Sequence, residues 1–185
     1  MKTLFYTGKG DGGKSQIGKK KFSKAVPMLE LLGALDELNS MVGFARVVAR
    51  GKSIKLNSKI LRAQEILFIA QAEVAASALS FPKPKNIISD RHVGELEKII
   101  GEIDKNLPPL KNFVIPGGSE LASRLDLVRT VARRTERMAV KLSENKQKIS
   151  GEVLKFLNRL SSAFFALARQ ANKLEGVKEQ HPRYN

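Results

Sequence analysis

Cysteine is absent from this chain of 185 residues, which removes disulfides, thiolate metal sites and cysteine nucleophiles together. Histidine is almost absent too. His92 and His181 stand alone and far apart, so a histidine metal centre or a catalytic triad is not expected. With no tryptophan and two tyrosines, the chain offers few stacking platforms for single-stranded nucleic acid. No apolar run approaches the roughly 20 residues that span a bilayer. The few residues ahead of Thr7 leave no room for a signal or transit peptide, and a cytoplasmic protein with no membrane partner is expected. Acidic residues are also scarce, 18 against 33 Lys+Arg, for a net charge of +15. That excess predicts an anionic partner without choosing between nucleotide, nucleic acid and membrane surface.

What is present is helical periodicity. Pro27 suits a first helical turn, and Leu31, Leu35, Leu38, Val42 and Ala45 define a first helix to about Ala49, closed by Gly51. A second helix is expected from near Asn57 to Leu79, with Ile60, Ala63, Leu67, Ala70 and Val74 as its stripe, ended by FPKPK. Ser89 or Asp90 caps a shorter third helix, which Pro108 and Pro109 break. Gly117-Gly118-Ser119 turns the chain into a fourth helix that fades near Glu144, and a fifth runs from about Gly151 to Leu174. No segment shows sustained period-two alternation. The expected fold class is all-α: one domain over residues 1–185, a five-helix bundle behind an N-terminal arm of residues 1–26.

Two strings point to an anion. Arg129, Arg133 and Arg137 recur at spacing four on the fourth helix, with Arg134 and Glu136 between them, beside the apolar stripe of Leu121, Leu125, Val128, Ala132, Ala139 and Leu142. Guanidinium forks at a seam's edge suit polyphosphate or carboxylate, although a solvated basic face has the same spacing. The second string, Thr7 to Ser15, reads TGKGDGGKS, and Gly8 to Ser15 matches G-x-x-x-x-G-K-S. A true P-loop links a buried strand to a helix. Here only Leu4, Phe5 and Tyr6 precede the string, and no helical periodicity follows it, so a P-loop fold is rejected. Exposed backbone amides, two hydroxyls and two lysines remain, as they would in a glycine-rich turn with no ligand. Further polar rows flank the seams of the first helix (Asp36, Asn39, Gly43) and the fifth (Asn158, Ser162, Phe165, Arg169), and suggest a shared cleft or a subunit interface. Polar residues at bundle edges would give the same pattern.

Five strings, YTGKGDGGKS from Tyr6, ALDELNSMVGFA from Ala34, FVIPGGSELAS from Phe113, RTVARRTER from Arg129 and FLNRLSSAFFALAR from Phe156, together resemble the PduO-type ATP:cob(I)alamin adenosyltransferases, in that family's order and spacing. The resemblance implies a homotrimer with active sites between subunits. It implies transfer of the 5′-deoxyadenosyl group of ATP to the cobalt of reduced corrinoid, with release of triphosphate and Mg2+ as companion ion. It would place ATP phosphates on Thr7, Gly8, Gly10, Ser15 and Lys24, and further nucleotide contacts on Arg133, Arg134, Glu136, Arg137 and Asn158. Asp36 and Arg129 match a pair that bridges subunits, Phe113 the aromatic that displaces the lower cobalt ligand, and Phe165 another corrinoid-side aromatic. Arg129, Arg133, Asp36 and Phe113 are thus the catalytic expectations, with no protein metal ligands. A flavoprotein reductase and an adenosylcobalamin-dependent enzyme are implied partners. The chain departs from the pattern at Asp126, where the family usually has His, at Ser162, usually Asp, and at Gln16, where a second hydroxyl is common. A longer corrinoid-covering tail is not expected past Asn185, with Tyr184 a partial substitute. Two alternatives stay open: a basic helical nucleic-acid-binding protein, and a relative that binds ATP or corrinoid without turnover.

Overall fold

A computed structural model describes residues 5–17, 20–79, 81–145 and 149–184. Leu4, and Gly18 and Lys19 of the basic arm, lie outside these. The elements run β1 (Lys14–Ile17), β2 (Lys20–Ser23), α1 (Pro27–Lys52), α2 (Ile54–Leu79), α3 (Asp90–Asp104), α4 (Glu120–Glu144) and α5 (Gly151–Leu174). The five expected helices are present. Their apolar stripes are buried together: Leu31, Leu35 and Leu38 of α1, Ile60, Ile66 and Leu67 of α2, Leu121, Leu125 and Val128 of α4, and Phe156, Leu160 and Phe164 of α5 are all buried to within 1%. Burying one such phenylalanine contributes about 2–3 kcal/mol. Serine caps set where the two functional helices begin. Ser119 Oγ accepts from Ala122 N (3.2 Å) and Ser150 Oγ from Val153 N (3.2 Å).

Two expectations are corrected. The arm contains strands: β1 and β2 pair antiparallel, with Ser15 opposite Phe22 and Gln16 opposite Lys21. Four-residue strands with mostly exposed polar side chains carry no alternation to detect. The glycine string therefore opens a strand instead of a helix, which agrees with rejecting a P-loop. The first two helices also lie closer in sequence than expected. Gly51 lies inside α1, and α2 begins at Ile54, with Ser53 alone between them. Ser53 Oγ accepts from Leu56 N at 3.3 Å, so one residue suffices to restart the helix, and Gly51 costs α1 only about 1 kcal/mol relative to alanine.

Two of the three residues in the polar row of α1 face α2. Asn39 is buried and donates from Nδ2 to Gln71 Oε1 (3.5 Å), while Gln64 Nε2 donates to Asn39 O (3.2 Å) and Arg46 Nη1 to Gln64 Oε1 (2.7 Å). A Cβ on Gly43 would lie 3.2 Å from Gln64 Nε2. Asn39 and Gly43 therefore belong to a polar seam between α1 and α2. Asp36 alone of that row is exposed.

Candidate active site

The groove between α4 and α5 holds two concavities. The polar one, about 460 Å³, is lined by Arg133, Glu136, Arg137 and Lys141 of α4 and Asn158 of α5, with Val140 and Glu144. The larger one, about 880 Å³, lies further along the same helices. Its wall combines residues 110–117, Asp126, Arg129 and Arg133 of α4, Ser162, Phe165 and Arg169 of α5, and Glu179, Pro182 and Tyr184 of the C-terminal segment. Arg133 lines both. A four-residue step along a helix keeps Arg129, Arg133 and Arg137 on one side, which is why a single row serves two adjoining spaces.

The arginines differ in how far the protein engages them. Arg129 Nε donates to Asp126 Oδ1 (3.1 Å), and its guanidinium lies 5.9 Å from the Phe165 ring centroid. Arg137 Nη1 donates to the Arg133 carbonyl (3.2 Å). The Arg133 guanidinium has no hydrogen-bond or ion-pair partner among the described residues. Asn158 Nδ2 donates to Glu136 Oε1 (2.7 Å), bridging the α4 and α5 walls of the polar pocket. An unpartnered guanidinium beside a second arginine and a lysine is a ready anion site.

Phe113 has a different environment. Its side chain is 80% exposed at the rim of the large cavity, which rules out a role as a plug for the end of the bundle. The segment bearing it is held instead through its backbone. The Phe113 carbonyl accepts from His181 Nδ1 (2.8 Å), and Ile115 N donates to Gln180 O (2.8 Å). The following turn is clamped on both sides. Gly117 N donates to Asp126 Oδ2 (2.9 Å), Asn172 Nδ2 donates to Gly117 O (2.8 Å), and Ser119 N donates to Asn172 Oδ1 (2.8 Å). Gly117 and Gly118 have φ of +114° and +108°, and a Cβ on Gly118 would lie 2.5 Å from Asn172 Oδ1. Glycine is required there for backbone and space together.

The structure thus joins Arg129, Phe113 and Phe165 in one cavity and Glu136, Arg137 and Asn158 in another, with Arg133 common to both. It does not bring Arg134 to either. That side chain points the other way and donates to Glu37 Oε2 of α1 (2.5 Å), because successive helical residues differ by about 100° in direction. Nor do Thr7, Gly8, Gly10, Ser15 or Lys24 line either pocket. Within the arm, Lys24 N donates to Gly13 O (2.9 Å), and Lys24 Nζ lies 3.2 Å from where a Gly10 Cβ would be, so part of that set is assembled on its own. Asp36 and Arg129 do not meet within the chain. No group of three or more His, Cys, Asp or Glu among the described residues is placed to hold a metal ion.

Several contacts that close the site have no sequence signal, although Arg169 itself was expected in a polar row beside the seam. The buried Arg169 donates from Nε and Nη2 to Glu179 (2.6 and 2.9 Å) and from Nη2 to the Pro108 carbonyl (3.0 Å), tying the C-terminal segment over the cavity. Asn172 looks like any polar residue near a helix end. Tyr184, expected as a partial cover, does line the cavity. No helix among the described residues is long and apolar enough to cross a membrane.

Comparison with known proteins gives a consistent result. The profile of the cobalamin adenosyltransferase family matches residues 5–171. The corrinoid adenosyltransferase of Bacillus subtilis is 34% identical over 174 residues, 93% of this chain and 88% of that protein. The corrinoid adenosyltransferase PduO of Citrobacter freundii is 34% identical over 95% of this chain, which spans about half of that longer relative (54%). Among solved structures, an arginine-to-lysine variant of the PduO-type ATP:corrinoid adenosyltransferase of Lactobacillus reuteri, complexed with ATP, superposes with a TM-score of 0.87 at 35% identity, covering 97% of this chain and 100% of that one. A phenylalanine-to-alanine variant of the same enzyme, complexed with cobalamin and ATP, gives the same score and identity over 97% and 99%.

Proposed function

The chain belongs to the cobalamin adenosyltransferase family, and we propose that it transfers the 5′-deoxyadenosyl group of ATP to the cobalt of a reduced corrinoid. The observation that carries the reading is the wall shared by the two pockets. Arg133 lines both a polar space suited to phosphates and a larger, partly aromatic space within the usual range of roughly 300–1,000 Å³ for small-molecule sites. Two different substrates laid in those spaces meet at Arg133.

In the reaction, the electron pair of Co(I) attacks C5′ of ATP. A cobalt–carbon bond forms, the C5′–O bond breaks, and triphosphate leaves with the bonding pair. The nucleophile is the substrate metal, so the lack of cysteine and the scarcity of histidine cost nothing. The work left to the protein is alignment and neutralisation of the leaving group. Arg133, Arg137 and Lys141 supply the charge, and Glu136 and Asn158 orient the nucleotide. Removing one such contact raises the barrier by about 3 kcal/mol. Mg2+ would enter with the nucleotide and help to neutralise the triphosphate, since no group of three or more His, Cys, Asp or Glu among the described residues is placed to hold it. Phe113 and Phe165 form an apolar surface at the corrinoid face, which disfavours a lower ligand on cobalt.

A second copy completes the site. The phosphate-binding residues of the arm and those of the polar pocket lie in separate places within one chain, and Phe5 and Tyr6 are 96% and 74% exposed. In a C3 trimer with a heterologous interface, the arm of one subunit reaches the pocket of the next, and Asp36 faces the neighbour's Arg129. The protein then works in the cytoplasm, beside a flavoprotein reductase that supplies Co(I) and an enzyme that consumes the adenosylated product. Triphosphate release, assayed with ATP and chemically reduced corrinoid, tests the activity: none from a folded, ATP-binding protein removes it. Light scattering tests the assembly, and a monomer with and without ATP removes the shared site.

A further inference from the structure

One carboxylate connects the turn below Phe113 to Arg129. Asp126 is largely buried, its side chain 13% exposed, and its two oxygens serve different masters: Oδ2 accepts from the Gly117 amide at 2.9 Å and Oδ1 from Arg129 Nε at 3.1 Å. Gly117 is gripped from opposite sides, its N–H by Asp126 of α4 and its carbonyl by Asn172 of α5. Its φ of +114° is one that residues with a Cβ rarely adopt. On the other side, Arg129 is engaged only through Nε, and its terminal nitrogens have no hydrogen bond to the described residues. They border the large cavity, with the guanidinium 5.9 Å from the Phe165 centroid.

An arginine bordering a cavity this large would sample several rotamers if it were free. Fixing it by Nε sets the plane of the guanidinium and leaves its outer donors for the neighbouring subunit's Asp36 in the trimer proposed above. Because the same carboxylate holds Gly117, four residues after Phe113, the cavity's cation and the base of its aromatic rim are registered to a single point. We infer that Asp126 is a positioning residue for the corrinoid side of the reaction: it orients Arg129 and anchors the turn that carries Phe113, without itself needing to touch either substrate. This rests on the function proposed above.

The variants separate the two bonds. Asp126→Asn keeps an oxygen for the Gly117 amide and removes the carboxylate from Arg129. Arg129→Gln removes the cation and leaves the Gly117 bond in place. Steady-state adenosylation, ATP affinity measured without corrinoid, and the absorption signature of four-coordinate Co(II)rrinoid formed with ATP are the readouts. Asp126→Asn is expected to lower kcat about tenfold through misplacement alone. ATP affinity is expected to stay within roughly twofold and the four-coordinate signal to fall, since Asp126 borders the large cavity and not the polar one. In the double variant the two losses should overlap instead of multiplying. An active wild type with Asp126→Asn at unchanged kcat overturns the inference, as do losses that multiply fully in the double variant. If Asp126→Asn melts far below wild type, Asp126→Glu decides, since it keeps the charge and displaces the carboxylate: a drop in kcat with ATP affinity retained upholds the role, and an unchanged kcat ends it. A folded wild type that binds ATP but releases no triphosphate with reduced corrinoid removes the proposed function first and this inference with it.

Discussion

The two flanks of the bundle use charge in opposite ways. Around α2 and α3 the charged groups meet one another. Arg62 donates to both oxygens of Glu95 (2.6 and 3.1 Å) and to Glu65 (3.2 Å), Lys59 pairs with Glu102 (2.9 Å), and Arg159 reaches across from α5 to Glu97 (2.9 Å). Glu73 crosslinks three segments, accepting from Ile88 N and from Ser150 Oγ, both at 2.7 Å. Along the α4–α5 groove, Arg133 has no such partner among the described residues and Arg137 donates to a backbone carbonyl. Satisfied pairs stiffen a fold and contribute little else. A guanidinium that the protein leaves unmatched, between two cavities, is where a ligand's charge belongs.

The sharpest way to break this comparison is at Arg133. Arg133→Glu should weaken ATP binding on the order of 100-fold or more, since a charge-assisted contact becomes a repulsion, while the melting temperature stays at the wild-type value because the side chain is exposed. Calorimetric titration showing wild-type affinity would return this arginine to the solvated surface. Phe113→Ala comes next. It should cut adenosylation roughly 10- to 100-fold by loosening the corrinoid face, with ATP affinity and melting nearly unchanged, because 80% exposure leaves little packing to lose. A variant that melts early and also loses ATP would make Phe113 a structural residue.

Arg62→Ala probes the other flank and should do the reverse. Urea denaturation is expected to show a loss of about 0.5–1 kcal/mol with unchanged ATP affinity. A nucleotide effect there would erase the distinction between the flanks.

The smallest effect is in pH. His92 is buried, and desolvation, reinforced by the charge of Arg91 against partial offsets from Glu95 and Glu73, holds its pKa below 6.5. The folded protein therefore prefers the neutral ring, whose Nδ1 accepts from Ser89 N (3.1 Å). The unfolded chain takes the proton first, so stability should fall as pH drops through 6.5 and level off below the folded value. Glu95 is held below 4.5, chiefly by its hydrogen bond to Arg62. Its contribution is present above pH 4.5 and lost in a second, more acid step as pH falls through the folded value. His92→Gln should remove the upper step alone; denaturation midpoints that stay flat from about pH 7.5 to 5.5 in the wild type would contradict the assignment.

The five helices were legible because each is written locally, in apolar stripes at spacing three and four bounded by glycine and proline. The β1–β2 hairpin was not, because four polar residues per strand contain too little pattern. The row Ser162, Phe165 and Arg169, read as marking a shared cleft or a subunit interface, lines the large cavity. In the comparable row of α1, Asn39 and Gly43 face Gln64 and Gln71 of α2, and only Asp36 is exposed. Arg134 shares the string RTVARRTER with Arg133, yet one residue's rotation sends it to Glu37.

What the chain's own order determined, then, is the helices, their buried stripes, the glycine turn ahead of α4 and the strings shared with the adenosyltransferase family. These depend on neighbours within a few positions or on residue identity itself. Tertiary structure alone decided which polar rows face open space and which face another helix, and that Arg133 stands between two cavities. It also decided that Asp126, Asn172 and the Arg169–Glu179 pair hold the aromatic rim. Periodicity says that a residue borders a seam; it does not say what packs beside it, because that partner lies tens of residues away in the sequence.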